Sequence, residues 1–172
     1  MRIFLGVPFH SDHLAQLQEQ LRVEGYSANP QLHATLKFFG EISSENVEHI
    51  HATLQTLSFP SFFVTLNRIA TFSNNRKVLW VNIVGEELLQ LHKAIDSLLS
   101  LLFPKDSRFT PHLTLARTKA LFSKEVVEKY QKQFLPERHE VHSIILYESR
   151  LQGAHHVHVP LHIYTLEQHK AY

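Results

Sequence analysis

The chain has no cysteine and only five glycines among 172 residues. Without cysteine there is no disulfide framework, no thiolate zinc site and no thiol nucleophile. The glycines are scattered, so no Gly-rich turn joins a strand to a helix to cradle a phosphate, and neither a G-x-S-x-G elbow nor an H-E-x-x-H helix is present. No apolar run approaches the roughly 18 residues that a membrane span needs. The opening run Arg2-Ile3-Phe4-Leu5-Gly6-Val7-Pro8 is too short for a signal peptide, so the default expectation is a soluble, cytoplasmic protein with no membrane partner. Excess charge is missing as well: 17 Lys and Arg face 16 Asp and Glu, for a net +1. Long duplexes call for a strongly basic face; a small anion or a nucleic-acid end does not.

What the chain does have is apolar residues, 44% of the total with twelve Phe, and fourteen His. The first is enough for a sizeable core and predicts a single domain over 1–172. Strands are expected at 2–8, 32–39, 61–66, 77–84, 112–117, 140–151 and about 156–166, from branched and aromatic runs bounded by Pro, Gly or Asn. Helices are expected after Ser11-Asp12 (Leu14, Leu17, Leu21 on one face, ending at Gly25), over 44–57 after Ser43 or Ser44, over 86–103, and over 123–134 behind Ser123.

This order repeats. Residues 2–67 and 77–151 each read strand, helix, strand, helix, strand, and each middle strand opens on a His-x-Thr-Leu string, His33-Ala34-Thr35-Leu36 and His112-Leu113-Thr114-Leu115. The two histidines are 79 positions apart (112 minus 33), and the same shift carries Phe62–Leu66 onto the apolar stretch 141–145. The prediction is α+β: two similar lobes related by a pseudo-two-fold axis, each a mainly antiparallel sheet with helices on its outer face, and a cleft between them.

On a strand, residues i and i+2 share a face. His33 projects with Thr35, and His112 with Thr114, so a two-fold arrangement gathers two imidazoles and two hydroxyls. Hydroxyls donate to phosphate oxygens and imidazoles move protons near neutral pH. The bare pattern is weak: with fourteen His and nine Thr, roughly 0.7 His-x-Thr triplets arise by chance. His51-Ala52-Thr53-Leu54 repeats it inside an expected helix, where i and i+2 face apart, and is read as inert. Strand placement, a preceding proline turn (Asn29-Pro30 and Thr110-Pro111) and matched position in the repeat distinguish the other two.

The strings His33-Ala34-Thr35-Leu36-Lys37-Phe38-Phe39-Gly40 and Phe109-Thr110-Pro111-His112-Leu113-Thr114-Leu115-Ala116-Arg117 resemble the paired motifs of the two-histidine phosphoesterase superfamily. The flanking RIFLGVP, VLWVNI and ILYESRL strings resemble its RNA 2′,3′-cyclic phosphodiesterases, also called 2′-5′ RNA ligases. The resemblance implies hydrolysis of RNA 2′,3′-cyclic ends to 2′-phosphomonoesters without metal or cofactor, His33 as proton donor, His112 as proton acceptor, and reversible 2′-5′ ligation by the same site. It implies a monomer whose partners are RNA ends or nucleotides carrying the cyclic phosphate. Thr35 and Thr114 would bind that phosphate, with Arg117 as its clamp. Parity puts Lys37 on the face of His33, at the cleft rim, whereas Arg117 faces away from His112 unless the strand twists or bulges.

His156, His158 and His162 share parity on the last expected strand, in the manner of a metal-binding tract, but no carboxylate accompanies them. Trp80 reads as a core residue, and Tyr147 as a residue of core or lobe-interface packing on a late strand, within reach of the cleft. Two other functions fit the pattern: a non-catalytic RNA-end binding module, against which the retention of both His and both Thr argues, and a phosphoesterase of the same superfamily acting on another cyclic or 2′-5′ phosphodiester.

Overall fold

Three helices start at the serines that the sequence marks. In the computed structural model, which describes residues 1–168, α1 (Asp12–Val23), α2 (Ser44–Leu54) and α4 (Lys124–Gln133) are capped by Ser11, Ser43 and Ser123. Each Oγ accepts from the N–H three residues on, at 3.1–3.2 Å, which satisfies one of the donors that a helix start leaves open. The remaining helix, α3 (Glu86–Leu98), stops short of residue 103. Its apolar period runs on into a turn in which Leu102 and Phe103 both donate to the Leu99 carbonyl.

The strands are β1 (Arg2–Pro8), β2 (His33–Glu41), β3 (Phe62–Phe72), β4 (Asn75–Val84), β5 (His112–Arg117), β6 (Glu137–Val141), β7 (Ser143–Gln152) and β8 (His155–Thr165). Two differ from expectation. β3 runs six residues past Leu66 because its polar second half pairs with β4, Ile69 against Val81 and Ala70 against Trp80, across a two-residue turn at Ser73-Asn74. The expected strand 140–151 is two strands, because the chain changes partners at His142: Val141 pairs with Phe62, and Ser143 with Thr165.

All eight strands form one sheet in the order β6-β3-β4-β5-β2-β1-β7-β8, every neighbouring pair antiparallel. Read outward from the centre, β2-β1-β7-β8 and β5-β4-β3-β6 are equivalent sequences of strands, the two-fold relation expected of an α+β protein with two lobes. The lobes are not the two halves of the sequence. β3, from the first half, lies beside β4, and β7, from the second, lies beside β1. At the centre the lobes meet through one paired position, Ala34 opposite Leu113.

Burial follows strand parity. Leu5 and Val7 of β1, Ala34 and Leu36 of β2, Leu79, Val81 and Ile83 of β4, and Leu113 and Leu115 of β5 are buried in one core with Leu14, Leu17 and Leu21 of α1 and Leu88, Leu91 and Ile95 of α3. His33, Thr35, His112 and Thr114 occupy the alternate positions and face the other way, half-buried. No helix among the described residues is long and apolar enough to cross a membrane.

Ser11 has a second bond, donating from Oγ to Glu137 Oε1 at 2.7 Å, which ties the start of α1 to β6. Ser11→Ala is expected to destabilise the fold by about 1–2 kcal/mol and to lower Tm by roughly 2–4 °C per kcal/mol. Thermal unfolding followed by circular dichroism measures this.

Candidate active site

Ala34 faces Leu113 across the joint. One step along the antiparallel register on either side puts His33 opposite Thr114 and Thr35 opposite His112. Directly opposed side chains on a sheet stand about 5 Å apart at Cβ, and diagonal ones about 7 Å. The two imidazoles are therefore diagonal neighbours with a hydroxyl beside each, on the face turned from the helices. The structure gathers the four residues that the motifs single out.

Both rings are held in the same way. His33 Nδ1 lies 2.8 Å from the Gln31 carbonyl, and His112 Nδ1 lies 2.8 Å from the Thr110 carbonyl. A carbonyl only accepts, so each Nδ1 carries the proton and each Nε2 is the nitrogen left for chemistry. In both cases the acceptor sits two residues before the histidine, across or beside the proline turn. Burial is the main force holding both histidines below the ordinary imidazole range. The backbone bond opposes it in each. The charge of Arg117 pushes both further down, and His33 also feels His112.

That electrostatic reach of Arg117 follows from a bulge. β4 pairs Trp80 with Thr114 but Leu79 with Ala116, which leaves Leu115 as an extra residue in β5. Leu115 and Ala116 are consequently both buried, and Arg117 swings to the face of His112 and Thr114. β2 carries the matching irregularity: Gly6 pairs with Thr35 but Leu5 with Lys37, so Leu36 is extra. Here the bulge corrects the parity reading of Lys37, which turns into the core, only 3% exposed. Its ammonium donates to Asp96 Oδ1 at 2.6 Å and the Pro104 carbonyl at 3.0 Å, and lies 3.2 Å from Asp106 Oδ1. Burial alone would raise the Asp96 carboxyl, but Lys37 and the Asp106 N–H outweigh it and hold it below the usual carboxylate range. His92, Asp96 and Asp106 are close enough together to hold a cation, and the Lys37 ammonium already engages both of its carboxylates. Phe38 occupies the place in β2 that Arg117 has in β5. It is 51% exposed with Arg2 4.8 Å over its ring.

Of the walls, only Tyr147 has a signal in the sequence; Phe4, His158, Phe72 and Trp80 carry none. Beside His33 stand Phe4 (4.9 Å between ring centroids), His158 (4.9 Å, edge-on) and Tyr147 (6.1 Å). Beside His112 stand Phe72 (5.1 Å) and Trp80 (5.8 Å). Gly6 lies between Phe4 and His33; a Cβ there would come within 3.1 Å of the Ala34 carbonyl and 3.6 Å of the His33 ring. Tyr147 and Trp80 are thus buried against the site rather than in the main core. The parity of the histidine tract fails for the reason that Lys37 does. A shift in the β7–β8 register, between Leu146–His162 and Tyr147–Pro160, turns His158 toward His33 and His162 to the opposite side. His162 there stacks on His51 of α2 at 3.6 Å.

His158 is latched to the turn before His33. Asn29 Nδ2 approaches His158 Nε2 at 3.3 Å, and the Gln31 side chain bonds the His158 N–H and carbonyl at 2.8 and 2.7 Å. With Nε2 accepting, the proton of His158 sits on Nδ1, a buried atom without a hydrogen-bond partner among the described residues. Burial, and the neighbouring His33 and His156, push its pKa down to about 4.

The family profile of the 2′-5′ RNA ligase superfamily matches residues 7–153. The RNA 2′,3′-cyclic phosphodiesterase of Methanocaldococcus jannaschii is 32% identical over 163 residues, which are 88% of this chain and 92% of that protein. The protein of the same description from Archaeoglobus fulgidus is 30% identical over 77% of this chain and 82% of its own. Among solved structures, a Thermus thermophilus protein superposes with a TM-score of 0.79 at 24% identity, covering 99% of this chain and 100% of that one. E. coli LigT complexed with phosphate superposes at 0.75 and 21%, covering 97% and 98%. These two show the shared fold.

The unfolded chain binds protons on histidine near pH 6.5, while the folded chain holds His33, His112 and His158 neutral to lower pH. Stability should therefore fall as pH drops from about 6.5 toward 4, because the unfolded state takes up more protons there. Tm measured across that range is the check. His158→Phe should flatten its lower part, and an unchanged slope would contradict the assignment.

Proposed function

The chain belongs to the 2′-5′ RNA ligase superfamily, and we propose that His33 and His112 are the acid–base pair with which it hydrolyses RNA 2′,3′-cyclic phosphodiester ends. The observation that carries this reading is the paired tautomer: two imidazoles on diagonal positions of one sheet face, each with Nδ1–H donated to a backbone carbonyl and Nε2 free.

The reaction needs water in line with the P–O3′ bond, a base for the water proton and an acid for the departing O3′. His112 Nε2 takes the proton from water as its oxygen attacks phosphorus. The P–O3′ bond breaks, and Nε2 of His33, protonated, gives its proton to O3′. The product is a 2′-phosphomonoester with a free 3′-hydroxyl. Thr35 and Thr114 donate to the non-bridging oxygens and Arg117 supplies the positive charge that the phosphoryl group requires. The charge of His112 lowers His33, which supports the pairing: charging one disfavours charging the other, so the pair resists taking up more than the single proton that the scheme requires. Both proton transfers are met by imidazoles, which leaves a metal no task in this scheme. With a 5′-hydroxyl in place of water as the nucleophile, the same two proton transfers form P–O5′ as P–O3′ breaks and join ends through a 2′-5′ linkage. The reverse step, attack by the 3′-hydroxyl, cleaves it. A monomer suffices, since one sheet of one chain carries every group.

His33→Ala and His112→Ala should each lower kcat on a 2′,3′-cyclic nucleotide by roughly 10²–10⁴-fold, with the 2′-phosphate as the wild-type product by phosphorus NMR. Activity should persist in EDTA; loss in EDTA restored by zinc would overturn the metal-free scheme. The kcat/KM profile should be bell-shaped, its limbs displaced to the acid side of the ordinary imidazole pKa, as the depressed histidines require.

A further inference from the structure

We propose that Gln18, a residue of α1 on the far side of the sheet from the reaction, is the positioning residue for Arg117. This rests on the reading of Arg117 as the phosphate clamp.

Gln18 is a polar side chain that the chemistry leaves unused, and it is only 1% exposed. Buried amides persist where they satisfy something specific, since an unpaired polar group in a core is costly. Its Nε2 donates to two carbonyls, Leu115 at 3.0 Å and Asn29 at 2.8 Å. Leu115 is the extra residue of the β5 bulge. β5 leaves β2 after the Ala34–Leu113 pair and next finds a partner on that edge at Arg117. There the Arg117 N–H donates to the Ser27 carbonyl at 2.7 Å, and the Ser27 N–H donates to the Arg117 carbonyl at 3.0 Å. Between these points Leu115 has no paired position in either neighbouring strand, and the Gln18 amide donates to its carbonyl.

The consequence for Arg117 is directional. Without the extra residue, strict alternation would put Arg117 on the core side with Leu113 and Leu115. The bulge turns it to the site, and Gln18 caps the carbonyl of the extra residue. The second bond, to Asn29, fixes the segment that carries Ser27, the partner of Arg117 itself. One amide thus holds both the strand that presents Arg117 and the chain that clasps its backbone. Gln18→Met keeps the volume and removes the donor.

The test uses the full chain, a 2′,3′-cyclic mononucleotide as substrate and inorganic phosphate as a binding probe. Gln18→Met should remain folded, with KM raised and phosphate binding weakened roughly tenfold, the scale of one charge-assisted hydrogen bond. Imidazole NMR gives a readout that a merely structural role would not move. The charge of Arg117 depresses both site histidines, so its withdrawal should raise the titration midpoints of His33 and His112. The other groups facing them, His158 and Tyr147 beside His33 and Trp80 and Phe72 beside His112, are untouched by the substitution. In an Arg117→Met background, Gln18→Met should weaken phosphate binding no further. A lower Tm with unchanged KM, phosphate binding and histidine titration would overturn the proposal, as would equal losses with and without Arg117. Should Gln18→Met fail to fold, Gln18→Asn, which keeps an amide too short to reach both carbonyls, carries the same comparison. A wild-type protein inert on cyclic phosphates would sink the functional reading instead, and the imidazole titrations would still judge Gln18.

Discussion

Everything at the site depends on one backbone pairing, Ala34 with Leu113. It is the single register position through which two four-stranded lobes become one sheet, and it brings the two His-x-Thr strings side by side. A lone paired position is a weak seam. The stability of the joint comes from behind it, where Ala34, Leu36, Leu113 and Leu115 are buried in the same core as α1 and α3. Two polar clamps reinforce that packing. Gln18 bonds the carbonyls of Asn29 and Leu115, one on each side of the seam. Lys37 binds Asp96, the Pro104 carbonyl and Asp106, linking β2 to the segment that leads into β5. Removing one partner from a buried charge network of this kind leaves an uncompensated charge and is strongly destabilising.

The site is symmetric in its centre and asymmetric in its surroundings. Each histidine has the same acceptor two residues before it and the same free nitrogen. Around them the lobes differ: Arg117 on one side answers to Phe38 on the other, and the Trp80–Phe72 wall answers to Phe4, Tyr147 and a neutral His158. A symmetric pair cannot assign acid and base roles by itself. Unequal neighbours around like side chains are what separate two proton-transfer roles in one site.

The sequence made the centre legible and left its edges unread, for a physical reason. His33, Thr35, His112 and Thr114 lie before the bulges, where alternation holds, so counting by two placed them correctly. Lys37, Arg117 and His162 lie beyond bulges, and each turned out on the side opposite to the one that parity assigns. A bulge has no distinct composition here; Leu36, Leu115 and Leu161 look like any other strand residue. The helix caps were readable because a serine before a helix acts locally. The partners of β3, β6 and β7 were not, because the change of strand partner at His142 is decided by residues far along the chain, Phe62 for Val141 and Thr165 for Ser143.

The crossing of β3 and β7 between lobes also sets an order of assembly. β1 has β2 on one edge, but its other edge stays open until β7 arrives, with Ile3 waiting for Glu148 and Gly6 for Ile145. Such distant pairings are slow to form and leave a strand edge exposed in the meantime. During synthesis His33 therefore exists, with Phe4 already made, long before the rest of its wall does. Tyr147 and His158 come from β7 and β8, more than a hundred residues after His33, so residues far apart along the chain complete the site together.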